Sequence, residues 1–167
     1  MKLEKINSLD TDKAKAELFK CCGCTNWVNQ IMEYFPFDSV EKLKTDSDSI
    51  WFTCTEEDWK EAFSHHPKIG EKKIDDTKFS ETKNWAEDEQ SGVKQATSEV
   101  LTELIEANQE YESKYGFIFI VCATGKSAQQ MLDLIKARMN NSISNELSIA
   151  AIEQNKITHL RIDKLLV

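Results

Sequence analysis

The sequence predicts an all-α protein, a single-domain multi-helix bundle formed by residues 1–167. Only two prolines and five glycines interrupt the 167 residues, whereas all-β folds need turn residues at short intervals. Apolar residues also recur every three or four positions along much of the chain, which is the period of an α-helix. A chain of this length can bury one sizeable hydrophobic core without disulfides.

Two helices are predicted near the start of the chain. Asp10 or Thr11 can cap the first, which should stop at Gly23. The second lies around Trp27 and should end at Pro36, because the residue before a proline is pushed out of the α region.

Residues 38–63 predict two further short helices. Ser39 leads the first, and Thr55 leads the second, which has an acidic first turn. Residues 65–82 show no sustained apolar period and predict a long loop. Loops of this length in compact domains are often binding segments.

The second half of the chain contains the clearest helical pattern, which predicts a helix from about Val93 to Lys114. The apolar run Phe117–Ala123 fits either a buried strand or a buried helical segment. Another helix should follow from Ala128, and one more begins near Ser144 and leads to a final helical stretch.

The charge balance disfavours several classes of partner. Acidic residues outnumber basic ones by 29 to 21, for a formal charge of -8, so nucleic acids and anionic membranes are not expected to bind. The start of the chain lacks the apolar region of a secretory signal, and no apolar run approaches the length of a membrane span. A cytoplasmic location is therefore expected, where the five cysteines would stay as thiols.

Two cysteine and glycine motifs are interpreted as structural. The run Cys21–Cys24 has the spacing of a dithiol motif, but it ends a helix instead of opening one, so buried apolar packing is favoured. The run Thr124–Ser127 is similar to the end of a phosphate loop. A nucleotide site is not expected, because Ile120 occupies the position of the required upstream glycine.

Three polar motifs could support catalysis. His65 and His66 precede a proline on the long loop, and at most one of them is expected to enter a site, as a proton donor or acceptor near neutral pH. The alternative is that the histidines are solvent-exposed or bind a metal. The acidic run 87–89 is by default a solvated helix face, although one carboxylate turned inward could exchange protons. Arg161 can form a structural ion pair or hold a carboxylate or carbonyl group of a substrate.

Six ordered segments of the chain are similar to those of a known family. They are His66-Pro67-Lys68-Ile69-Gly70, Glu89-Gln90, Tyr115-Gly116-Phe117-Ile118-Phe119, Ala123-Thr124-Gly125-Lys126-Ser127-Ala128 with Met131-Leu132, Arg138-Met139-Asn140 with Glu146, and Lys156-Ile157 with Leu160-Arg161-Ile162. As an ordered set they resemble the 2-oxo-4-hydroxy-4-carboxy-5-ureidoimidazoline (OHCU) decarboxylases of urate breakdown. The stretch Thr124–Ala128 resembles the bacterial branch.

The resemblance implies an all-α, usually homodimeric enzyme, with neither cofactor nor metal, that converts the small molecule OHCU to (S)-allantoin and CO2. It places the catalytic acid/base on His66 rather than His65, and the other catalytic residues on Glu89 and Arg161. It also implies that the segment 119–123 is helical and lines the site. The implied substrate contacts are Pro67, Ala86, Glu87, Asp88, Gln90, Phe119, Ile120, Val121, Cys122 and Ala123.

One position departs from the family pattern. Ala86 stands where the family commonly has serine, three residues before the glutamate. The missing hydroxyl is expected to weaken one substrate hydrogen bond, with a typical net value of about 0.5–1.5 kcal/mol, and to leave the catalytic set intact.

The implied chemistry suits these residue types. Decarboxylation leaves an electron pair on carbon, and the substrate's own C=N bond can accept it, so pyridoxal phosphate or a metal is not required as an electron sink. In this hypothesis Arg161 holds a polar edge of the substrate. His66, oriented by Glu89, exchanges a proton with the 4-hydroxyl or its neighbouring nitrogen as CO2 leaves.

Two other classes of function compete with this interpretation. A catalytically silent helical protein of the same architecture would bind a small molecule without releasing CO2. A metal-dependent hydrolase would use His65 and His66 with acidic neighbours, but it would leave the ordered motifs without an explanation.

Overall fold

The computed structural model describes residues 2–71 and 77–166, and all of the regular secondary structure in these residues is helical. The all-α prediction is therefore confirmed. The described residues contain nine α-helices and two 3₁₀ helices, Met32–Tyr34 after the third α-helix and Ser91–Gln95 after the sixth. The α-helices are α1 Leu3–Asn7, α2 Thr11–Cys21, α3 Thr25–Ile31, α4 Val40–Trp51, α5 Glu56–Ser64, α6 Lys83–Glu89, α7 Ser98–Tyr115, α8 Ala128–Arg138 and α9 Ile143–Leu166.

The chain divides into two compact units. The first contains Met1–Ala62 and Gln154–Val167, and the second contains Phe63–Glu153. The division falls within α9, which contributes its first part to the second unit and its last part to the first. A single domain over 1–167 stays a prediction.

The predicted helix starts in the first unit are confirmed by their caps. Asp10 Oδ1 and Ser39 Oγ each accept a hydrogen bond from the backbone N–H three residues on, at 2.9 and 3.0 Å. Thr55 and Asp58 bond each other's backbone N–H at the start of α5. These side chains satisfy N–H groups that have no partner inside the helix.

The core of the first unit lies where α3 packs against α2 and α4. Its aromatic part includes Trp51, whose ring centroid is 6.2 Å from that of Trp59. The large side chains that are almost completely buried in this unit include Ile6, Leu18, Trp27, Ile31, Leu43, Trp51 and Ile162.

The predicted helix start at Val93 is wrong. Residues Ser91–Gln95 form a separate 3₁₀ helix, and Thr97 Oγ1 caps α7 by accepting the Val100 N–H at 3.3 Å. The capping side chain starts a new helix, which the apolar period alone does not show. At the other end, Gly116 terminates α7 with a φ of +80°, a conformation that favours glycine.

The apolar segment Phe117–Ala123 has no regular secondary structure. The helix that the family resemblance implied over 119–123 is therefore wrong, and so is the alternative of a strand. A strand needs a neighbouring strand to pair with, and the described residues contain none. Side chains pair with this backbone instead, as detailed below.

The final helix is continuous where the sequence predicted separate stretches. α9 runs for 24 residues from Ile143, and no proline or glycine interrupts it. The predicted long loop over 65–82 lacks helices in its described parts, while residues 72–76 of that loop lie outside the described residues. None of the helices in the described chain combines the length and the apolar character needed to cross a membrane.

Candidate active site

The histidine pair lies just after α5, in the second unit. The His66 N–H donates to Phe63 O at 3.2 Å, which turns the chain out of the helix. His66 is half-buried and Pro67 is buried, whereas His65 is exposed. His66 is therefore the more enclosed of the two rings, and its entry into a site stays a prediction.

The loop that carries His66 is anchored on α7. Asn108 Nδ2 donates to Ile69 O at 3.0 Å, and Asn108 is only 3% exposed. Lys68 Nζ lies 2.5 Å from Glu112 Oε2 in an ion pair one helical turn farther along. These contacts give the His66 loop a fixed support on a regular element, which a catalytic side chain requires.

A direct hydrogen bond joins this loop to the end of α6. The Gly70 N–H donates to Gln90 Oε1 at 3.3 Å, and Gly70 has a φ of +83°. Glu89 precedes Gln90 and is 8% exposed. The structure therefore brings the His66 loop and the Glu89-Gln90 pair together within one unit.

The rest of α6 divides into a buried and an exposed side. Ala86 is 2% exposed and packs in one cluster with Phe79. Glu87 is half-buried, with its carboxylate 3.9 Å from Lys83 Nζ, and Asp88 is exposed. Their roles as substrate contacts stay predictions.

The segment 119–123 forms an apolar part of the second unit. Phe119, Ile120, Val121 and Ala123 are buried, and Cys122 is half-buried. The Phe119 ring lies 5.3 Å from that of Tyr111, in an edge-to-face arrangement. These side chains are apolar and closely packed, as a wall of a small-molecule site would be.

Three side chains pair with the backbone of this segment. Arg138 Nη1 donates to Ile120 O at 2.7 Å, and Lys126 Nζ donates to Cys122 O at 2.8 Å. The Cys122 N–H donates to Glu153 Oε2 at 2.8 Å. Buried backbone groups need hydrogen-bond partners. In this segment charged side chains supply those partners, which neighbouring strands would supply in a sheet.

Arg138, known from the sequence only as part of a family motif with Glu146, belongs to a buried network. Its Nε donates to Glu146 Oε1 at 2.6 Å, and the Tyr111 hydroxyl bonds the same carboxylate. Glu146 has no exposed surface. The pKa of Tyr111 is raised well above its ordinary value, mainly because the hydroxyl is buried and also because it is hydrogen-bonded to Glu146. Arg138 stands three and seven residues after Ile135 and Met131, on the apolar face of α8, and that spacing was a usable signal.

The electrostatics of Cys122 connect this segment to Glu89. Burial raises the pKa of the Cys122 thiol, and the negative charges of Glu153 and Glu89 act in the same direction, against the opposing charge of Lys126. Cys122 is therefore a neutral thiol at physiological pH. The field of Glu89 also reaches the segment that was predicted to line the site.

Arg161 lies in the first unit, on the last part of α9. It is 3% exposed, and its Nη1 donates to Lys20 O at 3.2 Å, near the end of α2. This hydrogen bond is a structural contact of the guanidinium. Its catalytic role stays a prediction.

The cysteine motif is buried, as the sequence analysis favoured. Cys21, Cys22 and Cys24 are at most 1% exposed. Cys24 Sγ accepts the Trp27 N–H at 3.3 Å and so caps α3. A hydrogen bond from Cys54 lowers the pKa of Cys24.

One group of possible metal ligands occurs beside this motif. Ligand atoms of Cys24, Asp58 and Glu61 lie within 4.8 Å of one another, and the group contains no histidine. Both carboxylates already bond the start of α3: Glu61 Oε2 accepts the Thr25 N–H at 3.0 Å and Asp58 Oδ2 accepts from Asn26 at 2.9 Å. The cluster is therefore accounted for by hydrogen bonds in which Asp58 and Glu61 of α5 hold the start of α3.

The comparison with protein families decides the classification. The family model of the OHCU decarboxylases matches residues 7–163. This chain belongs to the OHCU decarboxylase family. The expectation from the ordered motifs is confirmed.

Members and relatives of the OHCU decarboxylase family match most of the chain. The uric acid degradation bifunctional protein TTL of Arabidopsis thaliana is 38% identical over 146 residues, which cover 87% of this chain. The uric acid degradation bifunctional protein of Bacillus sp. (strain TB-90) is 26% identical over 166 residues, or 99% of the chain. The chain spans 45% and 32% of these two relatives, so less than half of their length.

A solved OHCU decarboxylase matches over nearly its whole length. The crystal structure of OHCU decarboxylase in the presence of (S)-allantoin has a TM-score of 0.77 and 37% sequence identity to this chain. The match covers 90% of this chain and 97% of the solved one. The all-α fold of the family is thus also the fold found here.

Proposed function

We propose that this chain catalyses the decarboxylation of OHCU to (S)-allantoin and CO2, as a step of urate breakdown. Membership of the family and the similarity to a solved OHCU decarboxylase over 97% of its length support the proposal. The observation that carries it is the hydrogen bond between Gly70 and Gln90. Through that bond the loop of the proposed acid/base meets the helix end that bears the proposed carboxylate.

The reaction needs one bond to break and several protons to move. The bond between the hydroxyl-bearing ring carbon and the carboxylate breaks, its electron pair passes to the adjacent C=N, whose nitrogen takes a proton, and CO2 leaves. The resulting enol gives up its hydroxyl proton to form the carbonyl, while the ureido-bearing carbon of the former C=N takes a proton from one face, which gives a single enantiomer. The protein therefore has to hold the ring, protect one face and exchange a proton.

His66 is the proposed proton-exchanging group. It is half-buried on an anchored loop, and an imidazole exchanges protons readily near neutral pH. Glu89 is the proposed orienting carboxylate, since it is buried at the helix end that the loop contacts. Arg161 is proposed to hold a polar edge of the substrate.

The apolar segment 119–123 is proposed to form one wall of the site. Its buried side chains would exclude water from the reacting ring, and electrostatic interactions strengthen in such surroundings. The other contacts carried over from the family are Pro67, Ala86, Glu87, Asp88 and Gln90. A homodimeric assembly and a cytoplasmic location complete the proposal.

The decisive experiment follows freshly generated OHCU, made from urate with uricase and 5-hydroxyisourate hydrolase, by circular dichroism. The wild-type chain should produce a single-enantiomer allantoin signal faster than spontaneous decay. His66→Asn should lose about 10²–10⁴-fold in turnover, the usual contribution of a general acid or base. His65→Asn is the matched control, because His65 is exposed beside it, and it should keep wild-type turnover.

Other outcomes would point elsewhere. Decay at the spontaneous rate to racemic product, with folded wild-type protein, would leave the silent binding protein as the better description. Equal losses in the two histidine variants would remove the special role of His66.

Two more variants test the other proposed catalytic residues. Glu89→Gln should reduce turnover because a neutral amide cannot stabilise a protonated imidazole. Glu81→Gln, on an exposed residue shortly before α6, should have no effect. Arg161→Lys keeps the charge but loses the planar fork, and its main effect should be a higher KM.

A further inference from the structure

The apolar segment 119–123 contains two residues whose backbone is held by charged side chains. Ile120 O accepts from Arg138 at 2.7 Å, while the Cys122 N–H donates to Glu153 at 2.8 Å. Arg138 comes from the end of α8 and Glu153 from the middle of α9. Two separate helices therefore fix adjacent parts of one irregular segment.

The two holding residues differ in their surroundings. Arg138 is 8% exposed and is fixed in turn by Glu146, so its guanidinium has one set position. Glu153 is half-buried, and its carboxylate offers the Cys122 N–H a charge-assisted hydrogen bond, the stronger kind. Without these bonds, the irregular segment would lose the restraints that a helix or sheet normally supplies.

We infer that Glu153 is a positioning residue of the substrate site, which together with Arg138 sets the backbone of Ile120 and Cys122 against the substrate. This inference rests on the proposed function, because the segment lines the site only if the chain acts on OHCU. Neither side chain is assigned a contact with the reacting atoms. Their effect passes through the segment that they hold.

Loss of these hydrogen bonds should affect substrate binding more than the proton transfer. Without them, the segment 119–123 would become ordered only when the substrate binds, so the free-energy cost of ordering it would raise KM. His66 lies on a loop with its own anchors on α7, so kcat should change less. A misplacement of ~1 Å can cost about 100-fold in rate, and kcat/KM should therefore fall by about 10- to 100-fold.

The test compares three variants in the OHCU assay. Glu153→Leu removes the acceptor and should raise KM, with a much smaller change in kcat. Glu153→Gln keeps an acceptor oxygen for the Cys122 N–H and should restore most of the wild-type KM. Glu103→Leu is the control, because Glu103 is an exposed residue in the same unit whose carboxylate pairs with Lys136, and it should leave both constants unchanged.

Hydrogen exchange provides a readout that does not depend on activity. The Cys122 amide should exchange faster in Glu153→Leu than in the wild type, and Glu153→Gln should retain its protection. Arg138→Lys provides a second kinetic comparison, since a lysine cannot bond Ile120 O and Glu146 in the same fork geometry, and it should also raise KM.

The outcomes separate the inference from the proposed function. An inactive wild-type chain would refute the proposed function, while the exchange rates would still show whether Glu153 holds the segment. An active wild type with an unchanged KM in Glu153→Leu would overturn the inference. Equal impairment in Glu153→Leu and Glu153→Gln would also overturn it, because the effect would then come from the charge and not from the hydrogen bond.

Discussion

Replacement of Arg138 by methionine should be among the most destabilising single changes in the second unit. Methionine fills a similar path through the core but has no donor groups. Glu146, which has no exposed surface, would lose the guanidinium that lies 2.6 Å from its Oε1. Ile120 O would lose its donor at 2.7 Å.

The magnitude follows from the charge that is left behind. Breaking a buried ion pair by removing one partner costs about 3–5 kcal/mol, because the other charge stays buried without compensation. Asn141 and the Tyr111 hydroxyl still donate to Glu146, which places the expected loss toward the lower end of that range. Even this loss is a large part of the 5–15 kcal/mol by which a typical domain is stable.

Urea unfolding followed by circular dichroism at constant pH measures this loss. Arg138→Met should lower the midpoint with little change in the slope, because the surface exposed on unfolding stays similar. Glu146→Gln and the double variant complete a cycle. The double variant should be more stable than the sum of the two single losses predicts, because no uncompensated charge remains.

Two results would contradict this reasoning. A loss below about 1 kcal/mol in Arg138→Met is the value expected for an exposed ion pair, and it would show that the pair is not desolvated in solution. Strict additivity in the cycle would show that the two charges do not interact.

Three further predictions follow from single contacts. Gly92→Ala should lower the melting temperature, because a Cβ there would lie 2.0 Å from Lys126 O, a backbone atom. Asn108→Ala should cost about 1–3 kcal/mol and loosen the His66 loop, since the buried Ile69 O would lose its donor, as urea unfolding and hydrogen exchange can show. Iodoacetamide should modify Cys122 slowly at neutral pH, with a rate that keeps rising above pH 9.0, because a raised pKa leaves less thiolate at any given pH; mass spectrometry at several pH values measures this.

The sequence predicted most helices because their signals are local. Ser39 and Thr55 start helices as predicted, and each cap depends only on residues a few positions away. The start of α7 was placed too early because the apolar period continues across Thr97. The start of the helix is set by the hydrogen bond from the Val100 N–H to Thr97 Oγ1, and the apolar period does not reveal this bond.

The segment 119–123 could not be predicted locally. Its apolar, β-prone residues favour regular structure, yet its backbone partners are the side chains of Arg138 and Glu153, at least 18 residues away. No periodicity within the segment contains that information. The position of Arg138 on an apolar helix face was the one available sign of a buried charge, and it does not reveal which carbonyl the guanidinium bonds.

The candidate site residues were found by the ordered set of motifs and not by any single pattern. His66 had about equal claims as a catalytic and a solvated residue, and the acidic run around Glu89 is by default a solvated face. In the structure, the loop that carries His66 is hydrogen-bonded to the helix end that carries Glu89, through Gly70 and Gln90. Such a contact joins residues 20 positions apart, beyond the reach of helical or strand periodicity.

Helix α7 supports both irregular segments of the proposed site. Asn108 and Glu112 hold the His66 loop, while Tyr111, between them in sequence, bonds the carboxylate that fixes Arg138. Residues three and four apart share one face of a helix, so a single face of α7 positions the proposed proton donor and the apolar wall. A shift or rotation of α7 would displace both together. Their relative geometry therefore depends on the integrity of one 18-residue helix, and changes elsewhere in α7 that leave its fold intact should preserve the proposed site.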